Sequence, residues 1–118
     1  MAAASAFVEF VRDQLRPWGR VEARRMFSGQ GMFRSGTMFA LVHEDTLYFR
    51  TDDGNRGEFA AAGMAPFSFR RSGRKVATSY FQVPAEIVDE ADRLADWAAK
   101  AYAAALRHGA SQPRKRRP

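Results

Sequence analysis

The side chains with chemical reach in this chain are two histidines, several hydroxyls, 13 carboxylates and 19 basic groups; there is no cysteine. The stretch "RRMFSGQGMFRSG", residues 24–36, invites comparison with a phosphate-cradling loop, in which close glycines expose backbone amides at the start of a helix. A dinucleotide loop would want its third glycine at position 34, but that residue is Arg34 and the next glycine is Gly36. The residues after Gly31 read as a strand rather than a helix, and the P-loop lysine is missing. Gly29, Gly31 and Gly36 are therefore expected to be structural turn residues between strands, with Met26, Phe27, Met32 and Phe33 feeding the core. Arg24 and Arg25 are neighbours in a strand and point to opposite faces. An ordinary surface or structural pairing is the expected role of both.

Catalytic groups do not assemble. His43 is expected in an exposed turn beside Glu44 and Asp45, and His108 at the end of the last helix, where a cation suits the helix dipole. Neither has the spacing of a metal site, and without cysteine thiolate sites are excluded. Ser28 and Ser79 have no positioned base. Asp52 and Asp53 read as helix-capping acids, and Asp89, Glu90, Asp92 and Asp96 as the wet side of a helix. The expectation is a protein that is not an enzyme, with no catalytic residues, no metal and no cofactor.

Binding chemistry is better represented. Arg70, Arg71, Arg74 and Lys75 flank the Ser72-Gly73 turn, with Phe67 and Phe69 before them and Tyr80 and Phe81 after. Basic residues interleaved with aromatics can hold nucleic acid by phosphate contact and base stacking. A second basic run, Arg114, Lys115, Arg116 and Arg117, closes the chain. Without those four, 15 basic residues stand against 13 acidic, so the net charge of +6 belongs largely to the end. The competing reading is a solvated hairpin tip and a solvated tail. Alternation places Phe67, Phe69 and Arg71 on one strand face, with Phe67 and Phe69 expected in the core.

The elements that would position these groups follow from periodicity. Phe7, Val8, Phe10, Val11 and Leu15 recur at helical spacing, ended by Pro17, Trp18 and Gly19. Val21 to Phe27, Met32 to Arg34, Thr37 to Val42 and Leu47 to Arg50 read as strands joined by short turns. A short helix is predicted over Asp53 to Ala62, capped by Thr51 or Asp52 and ended by Gly63. Phe67 to Arg71 and Val76 to Val83 form a hairpin. From Pro84 onward, Ile87, Ala91, Leu94, Ala98, Ala101, Tyr102 and Ala105 line one face of a single long helix. Short links argue for antiparallel pairing. The expected architecture is α+β in two layers. An antiparallel sheet of five or six strands carries its helices on one face, in the order helix, three or four strands, helix, two strands, helix.

With 118 residues and 46% hydrophobic content, one compact domain over residues 1–108 is expected, followed by a basic disordered tail over 109–118 that opens at Gly109. No apolar run could span a bilayer, and the start does not read as a signal peptide. No membrane association is expected, and the expected location is cytoplasmic.

Three stretches carry a family resemblance: "RRMFSGQGMFRSGTMFALVHEDTLYFRTDD", "FAAAGMAPFSF" and "SYFQVPAEIVDEADRLADWAAKAYAAA". The Met26-Phe27 pair, Gly29, Gly31, Gly36, Phe39, Leu47-Tyr48, Pro66-Phe67, Tyr80 and Val83-Pro84 stand in their order and spacing. Over roughly residues 6 to 107 the chain resembles the N-terminal domain of the TfoX/Sxy family of bacterial competence regulators. The resemblance implies a two-layer fold similar to secretion chaperones and a non-enzymatic regulatory role without a known cofactor. In full-length relatives the domain assists transcription of DNA-uptake genes with the cyclic-AMP receptor protein, and a second helical domain follows it. This chain ends instead in "SQPRKRRP". The resemblance therefore implies a regulator or adaptor with a protein partner such as transcription machinery. A nucleic-acid-binding module using the basic hairpin and tail is the alternative, and a homodimer is compatible with either.

Overall fold

The computed structural model of the chain describes residues 2–26 and 29–111. In chain order its elements are α1 (Ala2–Gln14), β1 (Glu22–Met26), β2 (Gly29–Arg34), β3 (Thr37–His43), β4 (Thr46–Arg50), α2 (Arg56–Ala61), β5 (Pro66–Arg71), β6 (Arg74–Gln82), α3 (Ala85–Val88) and α4 (Ala91–Ser111). The strands make one six-stranded antiparallel sheet in the order β1-β2-β3-β4-β6-β5. The predicted α+β class and element order hold.

Three of the reversals are two-residue hairpin loops in which both residues have positive φ: Ser35-Gly36, Glu44-Asp45 and Ser72-Gly73. That geometry matches the right-handed twist of the strands it joins. Gly36 (φ 82°) is thus a turn residue as expected. The expectation for Gly29 and Gly31 is corrected, because both lie within β2, where Gly29 pairs with Met26 and Gly31 with Arg24. They are needed for close approach. A Cβ on Gly29 would overlap the carbonyl oxygen of Val42, and one on Gly31 would sit 2.5 Å from Met26 Sδ and 3.1 Å from Met38 Cε. Phe27, expected in the core, and Ser28, considered as a nucleophile, lie outside the described residues.

A register shift opposite Met32 and Phe33 leaves Phe39 as the extra residue of β3. A bulge lets consecutive residues share a side, so Phe39, Ala40 and Val42 all reach the core. With Met32, Leu47 and Phe49 they form the sheet side of that core. Val8, Val11 and Leu15 of α1, Phe59 of α2 and Leu94, Ala98, Ala101 and Ala105 of α4 form the helix side. The alanines keep α4 close to the sheet while the aromatic rings fill the gap. Trp18 meets Phe39 edge-on at 5.2 Å and Tyr102 at 5.8 Å, and the Arg34 guanidinium covers the Trp18 ring at 4.3 Å.

The predicted single C-terminal helix is two helices. Its break at Asp89-Glu90 follows from the packing of both Ile87 and Val88, which are buried although adjacent. The Val88 carbonyl, which an unbroken helix would offer to the Asp92 amide, accepts from Gln14 Nε2 at 2.9 Å. α4 continues to Ser111, past the break expected at Gly109. α2 begins at Arg56 because the preceding turn has its own closure. The Asp52 amide donates to Asn55 Oδ1 at 2.8 Å, Gly54 N–H donates to Asp52 Oδ1 at 2.8 Å, and Asn55 Nδ2 donates to the Arg50 carbonyl at 3.0 Å. Neither Thr51 nor Asp52 stands at the cap position, which is Asn55. The helix ends as predicted at Gly63 (φ 75°), whose amide bonds the Ala60 carbonyl while that of Met64 bonds the Phe59 carbonyl.

Arg107 of α4 grips Asp52 through two bonds, Nε to Oδ2 at 2.6 Å and an Nη to Oδ1 at 2.8 Å. The guanidinium bond is the main reason the Asp52 carboxyl drops from its ordinary 3.8 to about 2, with the Gly54 amide helping.

A carboxyl acidified on folding stabilises the fold above its unfolded pKa and loses that contribution as it is protonated. Asp52→Asn should therefore lower the melting temperature at neutral pH and flatten the loss of stability between about pH 4 and pH 2; parallel acid titrations of the two proteins by circular dichroism check this. Gly29→Ala should cost about 1–3 kcal/mol by forcing backbone apart, and Gly31→Ala less, since a methionine can swing away; chemical denaturation of each gives the ranking.

Candidate functional site

Helices cover one face of the sheet, so the side chains alternating outward have only each other. Cross-strand pairing puts Arg24, Gly31, Leu41, Tyr48 and Gln82 in one row of that open face, opposite in sense to the core row of Ala23, Met32, Ala40, Phe49 and Phe81. Arg50 and Tyr80 pair on the open side as well. Between the β1–β3 part of the sheet and the β5–β6 hairpin lies a groove of about 570 Å³. Met26, Met38 and Leu41 line one side, Phe67 and Phe69 the other, with His43, Arg50 and Tyr80 between them. The lining is predominantly apolar and includes no aspartate or glutamate.

Phe67 and Phe69, expected in the core, are corrected by this arrangement. Phe67 packs over the open face, edge-on to the Tyr48 ring at 5.1 Å and tilted against the His43 ring at 5.2 Å. Phe69 is 42% exposed. The alternation was sound, but β5 is the edge strand and turns its aromatic side away from the helices. His43 is likewise corrected: it is the last residue of β3, half-buried against Phe67 rather than in the turn.

The polar groups in the groove are few. Arg50 Nε is buried without a hydrogen-bond partner, and the Arg50 guanidinium carbon stands 5.6 Å from the Tyr80 ring centroid. A buried guanidinium nitrogen without an acceptor is costly. Burial raises the pKa of the Tyr80 hydroxyl, and the charge of Arg50, with the hydrogen bond its guanidinium donates to that hydroxyl, opposes the rise. Burial also raises Tyr48, and the Glu44 carboxylate adds to the effect.

The basic hairpin continues the same face. Phe67, Phe69 and Arg71 alternate outward along β5, and Arg71 pairs directly with Arg74 while Arg70 pairs with Lys75. Like charges facing each other across strands are destabilising. Arg70 donates to the Gly73 carbonyl at 3.0 Å, and none of the four forms an ion pair among the described residues. The hairpin is therefore uncompensated positive surface. Arg114, Lys115, Arg116 and Arg117 lie outside the described residues.

The other candidate residues take ordinary places. Arg24 and Arg25 are both exposed on edge strand β1, and the Arg24 guanidinium lies 4.6 Å from the Phe33 ring. Asp53 pairs with Arg56 at 3.2 Å. The Ser79 carbonyl accepts from both the amide and the hydroxyl of Thr51 at 2.8 Å. His108 lies exposed in the last turn of α4. Among the described residues no group of His, Asp or Glu gathers to hold a metal, and no helix is long and apolar enough to cross a membrane. Sequence reasoning missed Arg50, Met38 and Leu41 as site residues and met Tyr80 only as an aromatic flanking the basic hairpin. The available signal was β3, whose apolar run exceeds what one face can bury.

The sequence model of the TfoX N-terminal domain matches residues 13–105, which takes in the whole sheet and all but the end of α4. No curated protein matches the chain.

Arg50→Met removes the unbonded Nε but also the hydrogen bond and ring contact to Tyr80, so the two effects should offset and leave the stability of the isolated protein within about 1 kcal/mol of the parent. Thermal melting checks this, and a marked loss would make Arg50 a structural residue.

Proposed function

The chain belongs to the TfoX N-terminal domain family, and from that premise we propose that it is a non-enzymatic regulator or adaptor that works by holding a protein partner on the open face of its sheet. The observation that supports this reading most is the apolar groove bordered by Met38, Leu41, Phe67 and Phe69. Monomeric soluble proteins seldom leave large apolar surface uncovered unless something binds there. Methionine lining adds adaptability, because unbranched thioether chains repack around different guests. A cytoplasmic setting near the transcription machinery, with competence genes among the targets, fits the family, and a homodimer is compatible with the two free sheet edges.

The rival reading is a nucleic-acid module, favoured by the four uncompensated cations of the β5–β6 hairpin. Four phosphate contacts would make duplex affinity fall on the order of 100-fold between about 50 and 200 mM salt.

Phe69→Asp separates the two, because Phe69 is exposed enough to replace without unfolding the sheet. Affinity capture from extract of the native cell should retrieve a partner with the parent chain and lose it with Phe69→Asp. A capture pattern unchanged by the substitution removes the groove from the function. A salt-steep duplex titration that Phe69→Asp leaves intact supports the rival.

A further inference from the structure

The groove is apolar, yet its floor holds one cation with an unbonded donor and its outlet carries more. Arg50 Nε has no partner, no carboxylate lines the groove, and the outward row Phe67, Phe69, Arg71 leads to the Arg71–Arg74 pair. The groove thus has a charge sign with no carboxylate in its own lining to answer it. From Arg50, paired with Tyr80, to Arg74 at the start of β6 is six residues of strand, roughly 20 Å. An extended peptide of about six residues covers the same distance.

We propose that the groove takes an extended segment of the partner in which every second side chain faces the groove, and these are apolar residues between two carboxylates. One apolar side chain lies against Met38, Leu41 and Phe67, a carboxylate meets Arg50, and a further carboxylate reaches Arg71 and Arg74. This names the partner chemistry of the reading above and rests on it. A carboxylate, two apolar side chains and a second carboxylate at successive alternate positions all face the groove, because a strand presents every second side chain to one surface; the two carboxylates then stand six residues apart, roughly 20 Å. The observations favour peptide over single-stranded nucleic acid. Base stacking along a strand needs a series of free aromatic faces, whereas the Phe67 ring is already packed against both Tyr48 and His43, which leaves Phe69 to offer an exposed ring. A phosphate track needs cations along its whole length, whereas the groove itself holds Arg50 amid thioethers, an isobutyl group and rings.

The probe is the fluorescently labelled heptapeptide Glu-Ser-Leu-Ser-Phe-Ser-Glu, amidated at its end, measured by anisotropy against the full chain. Its analogue with glutamine for glutamate and a ten-residue oligothymidylate serve as comparisons. The acidic peptide should bind at least about ten-fold more tightly than the glutamine analogue, and Arg50→Gln should weaken it about 10- to 100-fold. Arg50→Lys should restore part of the affinity, since charge remains while the planar fork is lost. Arg71→Gln with Arg74→Gln should reduce the salt dependence and cost only a few-fold. Circular dichroism establishes that each variant is folded. Absence of binding at millimolar peptide, equal binding of the glutamine analogue, indifference to Arg50→Gln, or displacement of the peptide by oligothymidylate each overturns the proposal. A partner captured through the Phe69 face while the peptide fails sinks the acidic-segment inference alone. Peptide binding with a capture pattern indifferent to Phe69→Asp sinks the groove as the adaptor surface.

Discussion

One packing constraint organises the molecule: α4 lies close against a single face of the sheet. Ala98, Ala101, Ala104 and Ala105 are buried, and Phe39, Phe49 and Leu47 rise to meet them. Small residues on the helix and large ones on the strands interdigitate at the density of a crystal. The helix supplies little bulk, so the sheet must supply it, and the Phe39 bulge places three apolar residues of β3 on that side. α1 and α2 pack to the same side through Val11, Leu15 and Phe59. Nothing in the described chain covers the opposite side, and the groove is the consequence.

Polar side chains tie this layer together at its ends rather than through its middle. Arg12 Nε donates to the Val21 carbonyl at 2.9 Å and fixes the entry to β1, and Gln14 holds the α3 terminus. Arg107 holds the turn before α2 by clasping Asp52. The buried side chains of Thr51 and Asn55 bond to backbone groups of that turn and of β6. Buried polar groups satisfied in this way cost little. Arg50 sits within the same turn network by its carbonyl, yet its side-chain Nε is left without an acceptor. The rest of the Arg50 guanidinium is engaged with Tyr80, by a hydrogen bond to its hydroxyl and by its position 5.6 Å from the ring centroid.

Much of the fold was legible along the chain. Ser35-Gly36 and Ser72-Gly73 announce tight reversals, and Leu47 and Phe49 alternate with Tyr48 and Arg50 as a half-buried strand must. Gly63 announces the end of α2. These signals are local, because a turn or a strand face is decided by neighbours in sequence. Other features were not local. Gly29 and Gly31 look like turn residues, but what requires them is the carbonyl of Val42 and the thioethers of Met26 and Met38, brought in by two other strands. Ile87 through Ala105 has an unbroken helical stripe, but Gln14, far away in sequence, takes the carbonyl at which the helix divides.

The sequence by itself determined the class of the protein, the order of its elements and which residues share a strand face, since periods of two and 3.6 are properties of the backbone. Only tertiary structure decided which face of each strand meets the helices. Phe67 and Phe69 alternate as core residues do, yet the pairing of β5 at the sheet edge turns them outward. The same pairing brings Arg50, Tyr80 and the basic hairpin onto one surface, because strand register, unlike alternation, is set by contacts between segments distant in the chain.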